Sequence, residues 1–183
     1  LHKTEGKDRG LSVDFVKEWS GFRRQKIAAA NDLLGQAVGV RRDLKVADLT
    51  LGLAHDALKL AYFGARVTGV EVHTWVYALS QNAWERVRHM TAGERLHLRQ
   101  GSSLELIDEL LADHDVFYLD PMFSHRRTAL PKKAMQYLAE ITESTDEAAL
   151  IPLMDKIISH GKRLVVKRAD RAPVLGERQP SRQ

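Results

Sequence analysis

The 183 residues, 44% of them hydrophobic, suffice for one packed core and leave little for a second domain. The net charge of +4, from 28 Lys and Arg against 24 Asp and Glu, permits a polyanionic partner without requiring one. No cysteine is present, which excludes disulfides and cysteine nucleophiles, and no apolar run approaches the roughly 20 residues of a membrane span, so we expect a soluble cytoplasmic protein.

Strand-length apolar runs alternate with longer segments of helical periodicity, the pattern of a parallel sheet with crossover helices. A first helix is predicted over residues 14–38, ended by Gly39. Five strands are predicted, in chain order, at 45–50, 66–72, 95–100, 115–119 and 162–167. Helices are predicted at 55–63, 75–89 and 104–111, and from a capping-box sequence at 144–147 to about Gly161.

This order predicts a doubly wound, Rossmann-like α/β fold with three layers, α/β/α, formed by right-handed crossovers. The ligand site of such a fold lies at the carboxyl ends of the strands, near the switch in strand order. We divide the chain into an N-terminal helical segment (1–44), a domain that contains the sheet (45–175) and a polar C-terminal tail (176–183).

The turn after the first strand, residues 48–56, contains Gly52, where the backbone can approach a ligand before a helix begins. The dinucleotide fingerprint G-x-G-x-x-G is absent, which argues against a nicotinamide or flavin enzyme. A cofactor derived from methionine carries no pyrophosphate, so a looser turn is sufficient for it.

Polar residues follow the second and third strands as well. Glu71 ends the second strand, where its carboxylate could accept both ribose hydroxyls of a nucleoside, although a surface glutamate without a role is the alternative. A charge at the end of a buried strand is costly unless it has a partner, which favours the functional interpretation. Ser102 and Ser103 follow the third strand and could line an adenine pocket, while Ser103 is equally plausible as a helix N-cap.

The fourth strand ends in Asp120-Pro121-Met122-Phe123, which resembles the [DN]-P-P-[YFW] motif of enzymes that methylate exocyclic amines. The lone pair of such an amine is delocalised into the ring, so the enzyme must orient the group. Asp120 and the Pro121 carbonyl can accept its two N–H hydrogens while Phe123 stacks on a flipped base. The alternative is an ordinary Asp-Pro turn with Phe123 in the core.

Together these segments resemble the ribosomal RNA small subunit methyltransferase J family, enzymes that methylate guanine N2 in 16S ribosomal RNA. The matching segments run along nearly the whole chain: 12–16, 22–24, 36–40, 48–56, 101–103, 118–123, 129–133 with Met135, and 163–170 followed by Pro173. The resemblance implies a class I methyltransferase that uses S-adenosylmethionine (SAM), with residues 45–175 as its domain. It places cofactor contacts at His55, Asp56, Glu71, Val72, Ser102, Ser103 and Asp120.

The chain also departs from that family. Its members usually have a second glycine at the position of Ala54, an arginine at the position of His55, and a glycine-rich stretch where this chain has residues 27–31, so cofactor affinity could differ. They also carry an N-terminal extension and a strand pair after the segment 167–170. This chain ends in a polar tail instead, so either the sequence is truncated or the chain is a reduced member of the family; without the strand pair, its fifth strand would be an exposed edge.

Two basic groups are candidates for RNA contact. Arg23 and Arg24 form the first, with Lys26. The second follows the Asp-Pro turn and contains no acidic residue from 124 to 136; it comprises Arg126, Arg127, Lys132 and Lys133, with His125. A solvated charged face is the alternative for both groups. No metal is expected, because the histidines show no ligand spacing and a sulfonium methyl group is already activated for transfer.

Two other functions remain open at the level of sequence. The Asp-Pro-x-Phe turn is equally compatible with methylation of DNA adenine or of a protein glutamine. The residues Leu51 and Ala54, at positions where a glycine would be expected, are compatible with a Rossmann domain that binds RNA or adenosine without catalysis.

Overall fold

A computed structural model describes residues 12–91, 93–121, 147–168, 175–176 and 179–181. Within these ranges, parallel strands form one sheet in the order β3-β2-β1-β4-β5. The strands are β1 Lys45–Asp48, β2 Arg66–Glu71, β3 Leu96–Gln100, β4 Val116–Leu119 and β5 Arg163–Val166. The order reverses between β1 and β4, which confirms the predicted doubly wound fold and places β5 at one edge of the described sheet.

Helices cover both faces of the sheet. They are α1 Phe15–Gln25, α2 Leu33–Val38, α3 His55–Tyr62, α4 Thr74–Glu85, α5 Ser103–Asp113 and α6 Glu147–Ser159, with short 3-10 turns at Ala29–Asn31 and Gly93–Arg95. The first four helices pack on one face and α5 and α6 on the other, as the membership of the two buried apolar clusters shows. Alternate residues of β4 belong to opposite clusters: Val116 and Tyr118 to the first, Phe117 and Leu119 to the second.

The prediction of a single helix over residues 14–38 is wrong. α1 ends at Gln25 because Lys26 adopts a left-handed conformation, with φ of 50°. α2 begins only after Asp32, whose carboxylate caps it by accepting N–H bonds from Leu34 and Gly35. The sequence gives no warning of the break at Lys26, because a lysine in this conformation is uncommon.

The other predicted elements are present, with ends displaced by at most four residues. The residues 144–146 of the predicted capping box lie outside the described ranges. None of the helices within those ranges has the length and apolar character needed to cross a membrane.

Gly69, in the middle of β2, makes room for the turn that follows β1. A Cβ atom added at Gly69 would lie 2.2 Å from Cδ1 of Leu51, a buried side chain. The Leu51 N–H donates to the Val70 carbonyl, at 3.0 Å. Leu51 therefore packs across β2 and fixes the start of the Gly52 turn.

We expect Gly69→Ala to lower the free energy of unfolding by about 1–3 kcal/mol, because the methyl group overpacks against Leu51. Urea unfolding of Gly69→Ala, Leu51→Ala and the double variant checks this: the double variant should be more stable than the sum of the single effects allows. Gly21→Ala is the control, because a Cβ at Gly21 meets nothing within 4 Å. Purely additive effects at positions 51 and 69 would contradict this account of Gly69.

Candidate active site

A cleft opens where β1, β2, β3 and β4 end. Its lining includes six residues that were predicted to bind a cofactor: Gly52, Glu71, Val72, Ser102, Ser103 and Asp120. Leu150 and Leu153 of α6 also line it. Residues from four separate parts of the sequence meet here because parallel strands present their carboxyl ends at one edge of the sheet.

Glu71 joins the first two strands at this edge. Its carboxylate accepts the Gly52 N–H at Oε2 and the His73 N–H at Oε1, both at 2.8 Å. These backbone donors compensate for the burial of a charge that is only 7% exposed. An ionised carboxylate has about four acceptor positions, so Glu71 retains capacity for donors that enter the cleft.

Asp120 is held from two directions. Its N–H donates to Oγ1 of Thr50, at 2.7 Å, which ties the end of β4 to the turn after β1. Its Oδ2 accepts from Nζ of Lys167, at 2.7 Å, and the same ammonium donates to Oδ2 of Asp56, also at 2.7 Å. Lys167 directly follows β5, so the ammonium bridges carboxylates contributed by α3 and β4.

The hydrogen bonds of this network fix the protonation states of its members. Burial opposes the ionisation of Asp56, but hydrogen bonds from Lys167 and Tyr118 outweigh it and hold the pKa of Asp56 below its ordinary value. Burial also opposes the charge of Lys167, whose bonds to Asp120 and Asp56 nevertheless hold its pKa above the ordinary value. Burial and the nearby Asp56 raise the pKa of Tyr118, so its hydroxyl stays protonated and donates to Asp56 at 2.6 Å.

Asp48 lies beneath this network and is 1% exposed. Burial is the main cause that raises the pKa of Asp48 to about 8, and the nearby acidic groups Asp56, Asp120 and Glu71 raise it further. The hydrogen bond from the Thr50 N–H acts in the opposite direction. Asp48 is therefore mostly protonated at neutral pH.

Several other predicted residues lie elsewhere. His55 is absent from the cleft lining, and its Nδ1 lies 2.7 Å from Oε2 of Glu18 on α1. The Asp56 side chain belongs to the Lys167 network, so cofactor contacts by these two residues remain predictions. The N-cap of α5 is Ser102 rather than Ser103, whose hydroxyl donates to the Leu49 carbonyl at 2.6 Å.

The remaining predicted residues fall into two groups. Pro121 is buried directly after Asp120, and Arg23 and Arg24 are exposed in the last turn of α1. The others lie outside the described residues: Phe123, Arg126, Arg127, Lys132 and Lys133. Where the chain is described, no group of three or more His, Asp or Glu side chains is placed to hold a metal ion.

Four residues of the site were not predicted: Asp48, Thr50, Tyr118 and Lys167. Lys167 carried a detectable signal, because a charged residue at the end of a predicted strand is the same observation that identified Glu71. Thr50 and Tyr118 gave no signal, since both are ordinary residues at the ends of β-strands.

Comparisons with known proteins show the family of the chain. The model of a family described as "Putative SAM-dependent methyltransferase" matches residues 1–183. The chain belongs to this family. The match confirms the predicted SAM-dependent methyltransferase activity and the predicted cofactor.

Similar proteins support the assignment over nearly the whole chain. A protein of Tolumonas auensis is 37% identical, over 92% of this chain and 70% of its own length, and one of Dechloromonas aromatica is 35% identical, over 91% and 71%. Both are named ribosomal RNA small subunit methyltransferase J. The crystal structure of a SAM-dependent methyltransferase from Neisseria gonorrhoeae is 25% identical, with a TM-score of 0.72 over 96% of this chain and 70% of that one.

The cleft of this methyltransferase suits the chemistry of SAM. Glu71 offers acceptors for ribose hydroxyls, and the exposed apolar side chains of Val72 and Leu104 border the cleft, where they can cover an adenine ring. Glu71 and Asp120 give the cleft negative charge, which suits a cofactor that contains a sulfonium and an ammonium group.

Asp48 makes stability depend on pH. Its pKa is about 8 in the folded chain against an ordinary 3.8, so folding takes up a proton at neutral pH. Below about pH 4 Asp48 is protonated in both the folded and the unfolded chain. Between about pH 4 and 8 its contribution to the free energy of unfolding falls as pH rises, by up to about 1.4 kcal/mol per pH unit.

We therefore expect Asp48→Asn, which cannot ionise but keeps an oxygen acceptor for the Thr50 N–H, to gain stability relative to the parent chain as pH rises. Urea unfolding between about pH 5 and 8 measures this gain. Asp108→Asn is the control, because Asp108 is an exposed residue. A difference between Asp48→Asn and the parent chain that stays constant with pH would contradict a protonated Asp48.

Proposed function

We propose that this methyltransferase transfers a methyl group to the exocyclic N2 of a guanosine in 16S ribosomal RNA. The observation that carries the proposal is the position of Asp120. It lies on the wall of the cleft that Glu71 also lines, followed by Pro121, in the turn that resembles the motif of enzymes acting on exocyclic amines. The names of the relatives point to ribosomal RNA of the small subunit as the substrate.

The proposed cofactor contacts follow the cleft. Glu71 accepts the ribose hydroxyls, Val72, Ser102 and Ser103 border the adenine, and the Gly52 turn lies beside the methionine part, near the start of α3 with His55 and Asp56. When bound, SAM supplies a methyl group on a sulfonium, a carbon already activated for transfer to a nitrogen.

The proposed task of the protein is to orient the amine. Asp120 and the Pro121 carbonyl accept its two hydrogens, which directs the nitrogen lone pair toward the methyl group. Phe123 is the proposed stacking partner of the flipped guanine. Two sets of basic residues are proposed to bind the flanking phosphates: Arg23 and Arg24 on α1, and Arg126, Arg127, Lys132 and Lys133 after the Asp-Pro turn.

We expect Glu71→Ala to weaken SAM binding at least tenfold, because it removes two charge-assisted hydrogen bonds, each worth about 1.5–3 kcal/mol. Isothermal titration calorimetry measures the affinity. Glu71 also holds the Gly52 N–H, so Ser80→Ala is the matched control: it removes the bond from the Ser80 hydroxyl to the Gly52 carbonyl, at 2.9 Å, without removing an acceptor from the cleft. Equal losses in the two variants would assign the effect to the turn and not to ribose recognition.

We expect Asp120→Ala to lower turnover by at least about a hundredfold, because a misplaced amine is a poor nucleophile, while RNA affinity changes little. The assay supplies SAM and unmodified 16S ribosomal RNA, alone or in small subunits, and detects N2-methylguanosine by mass spectrometry. Asp113→Ala, which removes an exposed carboxylate paired with Lys45, is the control. Normal turnover by Asp120→Ala would refute the assigned role, and transfer to DNA adenine or protein glutamine instead of RNA would replace the proposed substrate.

A further inference from the structure

We propose that Lys167 is a positioning residue of the methyl-transfer site, which fixes the carboxylate of Asp120 and keeps it ionised so that it can accept the hydrogens of the substrate amine. The inference deepens the function proposed above and rests on it. Among the residues that line the cleft, Asp120 is the one to which the Lys167 ammonium donates a described hydrogen bond, so we assign the role of Lys167 to Asp120.

Both the backbone and the side chain of Lys167 hold the end of β4. Its N–H donates to the Leu119 carbonyl, at 2.8 Å, which continues the pairing of β4 with β5 up to the residue before Asp120. Its ammonium then reaches Oδ2 of Asp120 at 2.7 Å. The position of the ammonium is therefore set by the sheet, and the carboxylate is set by the ammonium.

Asp56 gives the ammonium its second anchor. Nζ of Lys167 donates to Oδ2 of Asp56, at 2.7 Å, and the Tyr118 hydroxyl donates to the same oxygen. The ammonium is therefore bound to a carboxylate in the first turn of α3 whose position Tyr118 also holds. An ammonium bonded to only one carboxylate could swing with it, whereas one that bridges two has a defined position.

The exposure of these groups separates a role in positioning from a role in stability. The Lys167 side chain is 52% exposed and that of Asp120 is 39% exposed, and ion pairs as exposed as this contribute little to folding. An effect of Lys167 should therefore appear in the chemistry more than in the stability of the chain.

The charged and titratable groups around Asp120, among the described residues, come from four elements. They are Asp48 at the end of β1, Asp56 on α3, Tyr118 on β4 and Lys167 after β5. The Lys167 ammonium donates a hydrogen bond to the Asp120 carboxylate, and the loss of this bond and of its positive charge disfavours the ionised carboxylate.

The first test needs no activity. Carbon-13 NMR of the side-chain carboxyl groups, in the chain without cofactor, follows the protonation of Asp120 in the parent chain and in Lys167→Met. We expect the carboxyl of Asp120 to titrate about one pH unit higher or more in Lys167→Met. An unchanged titration would overturn the proposal, whatever substrate the enzyme uses.

The second test is kinetic. With SAM at a saturating concentration, we expect Lys167→Met to lower kcat at least about tenfold while the KM for RNA changes less than about twofold. In an Asp120→Ala background the same change should have almost no further effect, because the two residues act as one unit. Lys45→Met is the matched control: it breaks a Lys–Asp pair at the opposite end of β1 and should leave kcat unchanged.

The outcomes are distinct. If Asp120 titrates at higher pH in Lys167→Met but the parent chain does not methylate 16S ribosomal RNA, the proposed substrate is refuted. Lys167 then remains the residue that sets the ionisation of Asp120. A parent chain that methylates this RNA, with kcat unchanged in Lys167→Met, refutes the positioning role. If Lys167→Met instead raises only the KM for RNA, and RNA binding depends less on salt, Lys167 is a phosphate contact. This result would also refute the positioning role.

Discussion

The pairing of β1 with β4 brings the turn after β1 against the end of β4, and the site is built around this junction. Asp48 is opposite Tyr118 in the register of these strands, and the Leu49 N–H donates to the Tyr118 carbonyl at 2.9 Å. This register places Thr50 beside Asp120, so that its hydroxyl accepts the Asp120 N–H. The strand order reverses at this pair, and the reversal opens the space in which a ligand can bind.

The site then has to accommodate several carboxyl groups within a small volume. They are satisfied in three ways: Asp48 by protonation, Glu71 by two backbone N–H groups, and Asp56 and Asp120 by the ammonium of Lys167. These arrangements keep the cleft acidic without an unpaired buried charge. An acidic cleft favours a cationic cofactor, which agrees with the family to which the chain belongs.

The residues that the sequence identified share one property: Gly52, Glu71, Ser102 and Asp120 each lie at or shortly after the carboxyl end of a strand, and the rule for parallel sheets places such residues together. Periodicity therefore predicted the fold, and this rule, applied to the predicted strands, placed these residues in one cleft. The sequence could not predict the contacts of Asp56, because Lys167 lies 111 residues away and reaches Asp56 only through the pairing of β4 with β5.

Local and environmental effects account for the other differences. Helical propensity favours one helix over residues 14–38, but the first helix ends at the left-handed Lys26, and Asp32 caps a second helix. In the sequence alone, Asp32 is indistinguishable from a residue inside a helix. The protonation of Asp48 depends on its burial by neighbours from other strands and helices, a property of the folded chain that its own position in the sequence does not reveal.

Mass mapping of modified guanines in ribosomal RNA tests the proposed substrate in cells with the intact protein, in cells that lack it, and in cells that carry only Asp120→Ala. We expect one N2-methylguanosine of 16S ribosomal RNA to be present in the first, and absent or strongly reduced in the other two. An unchanged pattern of N2-methylguanosine in cells that lack the protein would contradict the proposed substrate.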